Sequence, residues 1–96
     1  MSPNNKKKLT KLRKSLDKLD NSFIKLIKKR TSLVNQVLNL KENKKEIVDK
    51  KRINHILNQI RKKSIKNKID PKITFRIWKN MIYSYIDYER RNFKKK

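Results

Sequence analysis

Arg30 interrupts a run of apolar residues, Leu9, Leu12, Leu16, Leu19, Phe23, Leu26, Leu33, Val37 and Leu40, that steps by three and four residues. That spacing makes one stripe of a long helix packed against other helices. The residues three and four away from Arg30 are Leu26, Ile27, Leu33 and Val34, so its own helix offers no carboxylate to pair with it. A guanidinium left unpaired near a core costs on the order of several kcal/mol, so an anion is expected from another helix, another chain or a ligand.

Other charged residues fall into register with it. Lys41 follows Arg30 by eleven residues, which at about 100° per residue returns to nearly the same helix face roughly 16 Å further on. Arg13 precedes Arg30 by seventeen residues, about 25 Å away and turned by roughly a quarter of a circle, so one straight helix cannot bring both to one small molecule. If Arg13 serves a site, it serves a partner chain's. Asp49 and Arg52, three apart, share a face, as do Tyr85 and Glu89, four apart. Arginine forks bind carboxylates in a planar, bidentate way, so three arginines, a lysine and a carboxyl that can itself hold a proton suit a small dicarboxylic acid. No nucleophile stands beside a base and no Gly-rich loop could cradle phosphates. What is left is to bind, compress and stabilise charge as it develops.

The elements that position these groups are helical. Helix 1 is expected from about Asn5 to Leu40, a length without Gly or Pro that implies an extended partner. Lys41 to Val48 loses the periodicity and reads as a loop. Asp49 then caps a shorter helix, about 49–66, carrying Ile53, Ile56, Leu57 and Ile60. Asp70 followed by Pro71 starts a third, about 70–94, with Ile73, Ile77, Met81, Ile82, Tyr85 and Ile86 inward. There is no β alternation and no internal repeat. The expected fold is all-α, with long, short and medium helices in a single domain over 1–96.

Composition sets limits on partners. With 96 residues and 34% hydrophobic content the chain has little material for a core of its own, and a dimer that shares a core relieves the shortage. The absence of cysteine excludes disulfides and thiol chemistry, and a single histidine, His55, argues against zinc. No cofactor is expected. The N-terminus lacks an apolar signal-type stretch and no run of eighteen apolar residues occurs, so a cytoplasmic protein is expected. Lys, Asn and Ile make up nearly half the chain, and there is no Gly or Ala. The formal charge of +22 is accordingly read mostly as solvated lysine scattered along the sequence, with basic runs at Lys6 to Lys8 and Lys94 to Lys96.

Taken in order, LRKSLDKLD (Leu12 to Asp20), the Arg30 of KKRTSLVNQV, Lys41, DKKR (Asp49 to Arg52) and IDPKIT resemble the all-helical, type II chorismate mutase family over about Leu9 to Arg91. The resemblance implies an intertwined homodimer in which each of two sites borrows an arginine from the opposite chain, which agrees with the reach of Arg13. It further implies that Arg13 of the partner, Arg30 and Arg52 hold the carboxylates of chorismate. Lys41 bonds a carboxylate and the ether oxygen, and Asp49 meets the ring hydroxyl through its backbone. Val37 and Ile82 line the cavity, and Glu89 faces the ether oxygen. The implied reaction is the pericyclic rearrangement of chorismate to prephenate on the way to phenylalanine and tyrosine, by a stand-alone enzyme with no covalent intermediate. As the carbon–oxygen bond stretches, Lys41 and a protonated Glu89 meet the growing charge, so activity is expected to fall as rising pH ionises Glu89.

Ile53, where the family often carries Glu, and Tyr85, where it often carries a small hydroxyl residue, are similar instead to isochorismate-pyruvate lyase on the same scaffold. That is the alternative within the fold. Simpler roles stand beside each assignment: Arg30 pairing with Asp17 or Asp20 across a dimer seam, Asp49 only capping, Arg52 pairing with Asp49, Tyr85 and Ile82 packing in the core. Two readings of other classes remain. A basic helical nucleic-acid binder explains the charge but not the seam arginine, and a purely structural helical dimer predicts that Arg30→Leu stabilises the fold with nothing lost.

Overall fold

The computed structural model describes residues 1–94; Lys95 and Lys96 of the C-terminal basic run lie outside them. Three α-helices appear in order, α1 (Pro3–Leu40), α2 (Lys50–Lys66) and α3 (Pro71–Asn92), with a short 3-10 turn at Lys44–Glu46 between the first two. Among the described residues there is no strand, as the all-α expectation requires. The chain divides into two compact units, Met1–Val34 and a second beginning at Asn35.

Each helix starts where its sequence supplies a cap. The Ser2 hydroxyl accepts the Asn5 N–H at 3.2 Å and Pro3 takes the first helical position, which carries α1 two residues further back than periodicity suggests. Asp49 Oδ1 accepts the Arg52 N–H at 3.0 Å at the head of α2, and Asp70 Oδ1 accepts the Lys72 N–H at 2.9 Å at the head of α3. α3 stops at Asn92, with Phe93 extended after it, slightly short of the expected end near 94.

The first unit buries nothing fully. Leu12, Leu16, Leu19, Phe23, Leu26 and Leu33 are each more than half exposed, and Arg30 beside them is half-buried. An apolar stripe of this length open to water marks a surface that awaits a partner.

The second unit holds the core. Leu38, Ile47, Ile82 and Ile86 are buried together, with Val48, Ile53, Ile56, Leu57 and Phe93 packed around them. α2 lies against α3, and one polar link joins them. The Ser64 hydroxyl, on a residue 3% exposed, shares a 2.7 Å hydrogen bond with the Thr74 hydroxyl, and each has a carbonyl acceptor of its own helix in reach, Ile60 at 2.6 Å for Ser64 and Pro71 at 3.3 Å for Thr74. The turn between these helices closes through Lys68, whose φ of 57° is left-handed, and through Ile69 N–H donating to the Ser64 carbonyl at 2.9 Å.

Candidate active site

The last turns of α1 are fixed against α3 from two directions. Leu38 enters the core with Ile82 and Ile86, and the Tyr88 hydroxyl donates to Asn35 Oδ1 at 2.8 Å. Tyr88 is held in turn by an edge-to-face contact with Tyr85, at 6.3 Å between ring centroids and 88° between planes. These contacts set the register of α3 along α1, and the next residue of α3, Glu89, meets the first residue after α1. Lys41 Nζ donates to Glu89 Oε1 at 3.0 Å, with side chains 17% and 9% exposed. A carboxylate so far from water needs a cation, and Lys41 supplies it.

Lys41 also lines an open cavity of about 670 Å³, together with Val37, Leu40, Glu46, Val48, Asp49, Lys50 and Lys51. The acidic groups on its wall are already bonded to backbone. Glu46 Oε2 accepts the N–H groups of Glu42 and Asn43, at 2.6 and 3.1 Å, and Asp49 Oδ1 caps α2. Lys41, Lys50 and Lys51 outnumber Glu46 and Asp49 by one among the lining residues, with Glu89 outside the lining paired to Lys41, and the N–H groups at the start of α2 add positive potential. The cavity suits an anion. Val37, Leu40 and Val48 in its lining offer apolar contact to the rest of such a ligand.

The site residues expected from sequence thus divide. Val37, Lys41 and Asp49 line the cavity, and Glu89 is reached through Lys41. Ile82 lies in the buried core and Tyr85 packs on Tyr88. Arg52 is exposed, its backbone N–H engaged by Asp49. Arg13, exposed, and Arg30 belong to the first unit. Sequence reasoning included Lys50 and Lys51 in the DKKR segment without giving them a role, and left 41–48 as loop. Asn43 and Glu46, spaced by three, carry the capping-box signal for the 3-10 turn that shapes the cavity wall. Tyr88 and Asn35 gave no local signal, being 53 residues apart.

The family model of chorismate mutase type II matches residues 12–90. The chain belongs to the type II chorismate mutase family. It is an isomerase whose activity is that of chorismate mutase, the conversion of chorismate to prephenate. No curated protein and no solved structure matches the chain. The match spans the α1 seam from Leu12 onward, the Lys41–Glu89 pair and the whole cavity wall. Chorismate, the family's substrate, is a dicarboxylate built on a hydroxyl-bearing carbon ring, which agrees with a cavity lined by three lysines and by Val37, Leu40 and Val48. No helix among the described residues is long and apolar enough to cross a membrane.

Proposed function

We propose that the cavity beside Lys41 is the chorismate site and that a second copy of the chain completes it. The observation that carries this reading is the Lys41–Glu89 pair, a shielded cation and carboxyl at the edge of a cationic cavity. An ammonium has three donors and Glu89 Oε1 takes one, so Lys41 keeps two for a substrate carboxylate and the ether oxygen. Glu89, once protonated, donates to the same oxygen. Both donations strengthen as the carbon–oxygen bond breaks and negative charge collects there, which lowers the barrier rather than merely the substrate's energy.

Arg30 and Arg52 hold the carboxylates, with Arg13 contributed by the partner. Asp49 meets the ring hydroxyl through its backbone, and Val37, Ile82 and Tyr85 close the apolar side. The exposed α1 stripe of Leu12, Leu16, Leu19, Phe23, Leu26 and Leu33 supports the dimer, since burying it against an identical stripe removes from water the apolar area that the single chain leaves open. Clamped at both carboxylates, the substrate is held in the folded conformer from which the carbon–carbon bond forms. Positioning of this kind needs no covalent step.

Mixing two inactive variants tests the shared site. An Arg13→Ala chain keeps its own Lys41, and a Lys41→Ala chain keeps its own Arg13. In a heterodimer one of the two sites then has every group intact, so remixing under exchange conditions should restore about a quarter of the wild-type sites. Failure of the mixture to exceed its components, with exchange verified, overturns donation of Arg13 in trans. Product analysis with chorismate and with isochorismate accompanies it: prephenate is expected from the first, and pyruvate released from isochorismate alone would transfer the site to a lyase.

A further inference from the structure

We propose that α1 carries a second binding surface, on the face turned away from its apolar seam, for the phosphate backbone of double-stranded nucleic acid. Lysines that look scattered in the sequence line up once the chain is helical. At about 100° per residue, Lys7, Lys11, Lys14, Lys18, Lys25 and Lys29 fall within roughly 40° of one line down the helix. All six are exposed and lie in the first unit. The line extends over about 33 Å at 1.5 Å per residue, close to the length of one duplex turn.

The stripe has no acidic member. The carboxylates of α1, Asp17 and Asp20, turn about 100° and 160° away from it, and the seam of leucines runs about 120° away. Within the first unit Asn4, Ser22 and Ser32 are the remaining residues on the line, small and neutral, and Gln36 continues it without charge. None of the six lysines makes an ion pair or a side-chain hydrogen bond. Like charges three and four residues apart destabilise a helix by some tenths of a kcal/mol per pair, and an external polyanion removes that repulsion.

The chemistry of the stripe selects among polyanions. An amphipathic membrane helix inserts the apolar face that lies opposite its basic one, and that face of α1 is covered by the second copy in the proposed function, on which this step rests. A single-strand platform needs aromatic rings on which bases stack, and the stripe has none, Phe23 lying on the seam instead. A straight row of flexible ammonium groups with no ring and no fork reads phosphate charge without reading bases. The partner is therefore a duplex bound without regard to sequence. The surface is independent of the chorismate site, since none of its residues lines the cavity.

Anisotropy of a labelled duplex of arbitrary sequence, about three turns long, measures the binding. With six phosphate contacts the affinity of the wild-type protein should fall with a log–log salt slope near −5, about a thousandfold between 50 and 200 mM. A variant with Gln at Lys7, Lys11, Lys14, Lys18, Lys25 and Lys29 should bind at least about tenfold more weakly at 100 mM salt and lose most of that slope. A control with Gln at Lys62, Lys63, Lys66, Lys72, Lys79 and Lys94 loses the same formal charge and should stay within about threefold of wild type. Lys and Gln have similar helix propensities, so both variants should keep their circular dichroism, and both should keep chorismate mutase turnover. Equal weakening in the two variants overturns the proposal, as does a wild-type protein that ignores duplex or one whose stripe is needed only for anionic vesicles.

Discussion

Lys41 Nζ lies 3.0 Å from Glu89 Oε1, and this contact joins the end of the long helix to the last turns of α3, 48 residues later. In the proposed site the pair has two separable roles, holding the fold and meeting the substrate. Lys41→Ala leaves Glu89 in a shielded position without its cation, a change that costs on the order of 2–4 kcal/mol of stability when a pair is well buried. If Lys41 donates to the reacting oxygen as proposed, the change also removes that donor, with an expected loss of about 10²- to 10³-fold in kcat. The double variant Lys41→Ala, Glu89→Gln removes the stranded charge. Melting should therefore return most of the way to wild type while turnover stays low, and a double variant that recovers activity along with stability would limit Lys41 to a structural role.

Glu89→Gln and Glu89→Ala together examine the donor at this position. Glutamine keeps the size of the side chain and presents an N–H donor, whereas alanine presents none. If Glu89 acts by donating to the ether oxygen, Glu89→Gln should keep turnover within about tenfold of wild type and Glu89→Ala should lose about 10²- to 10³-fold in kcat. Wild-type turnover in Glu89→Ala would remove Glu89 from the chemistry.

Arg30→Lys keeps the charge and loses the planar fork. If Arg30 grips a substrate carboxylate through two parallel N–H bonds, the substitution should raise KM about tenfold or more, with stability little changed. An arginine serving only the fold predicts the reverse, lower melting with unaltered KM. Circular dichroism and steady-state kinetics on one preparation distinguish them.

What was readable in the sequence followed from local chemistry. Asp49, and Asp70 with Pro71, mark the helix starts because a cap acts within three residues of itself. The stripe from Leu9 to Leu40 is periodic, so its helix was legible from spacing. Its covering was not. Leu16 and Phe23 remain open to water because the single chain has nothing to lay over them, and periodicity names a face without naming its occupant. The Tyr88–Asn35 bond and the meeting of Lys41 with Glu89 depend on the register of α3, which packing of Leu38, Ile82 and Ile86 decides and no short window encodes. Spacing placed Lys41 on the face of Arg30 but gave no hint that Lys50 and Lys51 share its cavity, since they follow a turn.

That turn-forming chemistry is constrained by a composition with no glycine. After α2 the chain reverses at Lys68, which holds a φ of 57° where glycine is the usual occupant because a Cβ crowds the following carbonyl. The conformation is enforced by the bonds that close the helix end, Lys68 N–H to the Ile65 carbonyl at 3.1 Å and Ile69 N–H to the Ser64 carbonyl at 2.9 Å. A left-handed residue with a side chain costs about 1–2 kcal/mol, while glycine gives back part of that gain through a more flexible unfolded chain. Lys68→Gly should thus stabilise the protein by about 0.5–1 kcal/mol and raise Tm by about 2–8 °C. Lys62→Gly, at an exposed position inside α2 six residues earlier, should do the opposite by about 1 kcal/mol. Thermal melts of the two variants beside wild type read both signs at once. A destabilised Lys68→Gly would mean that the lysine side chain stabilises the turn by more than the strain of its backbone.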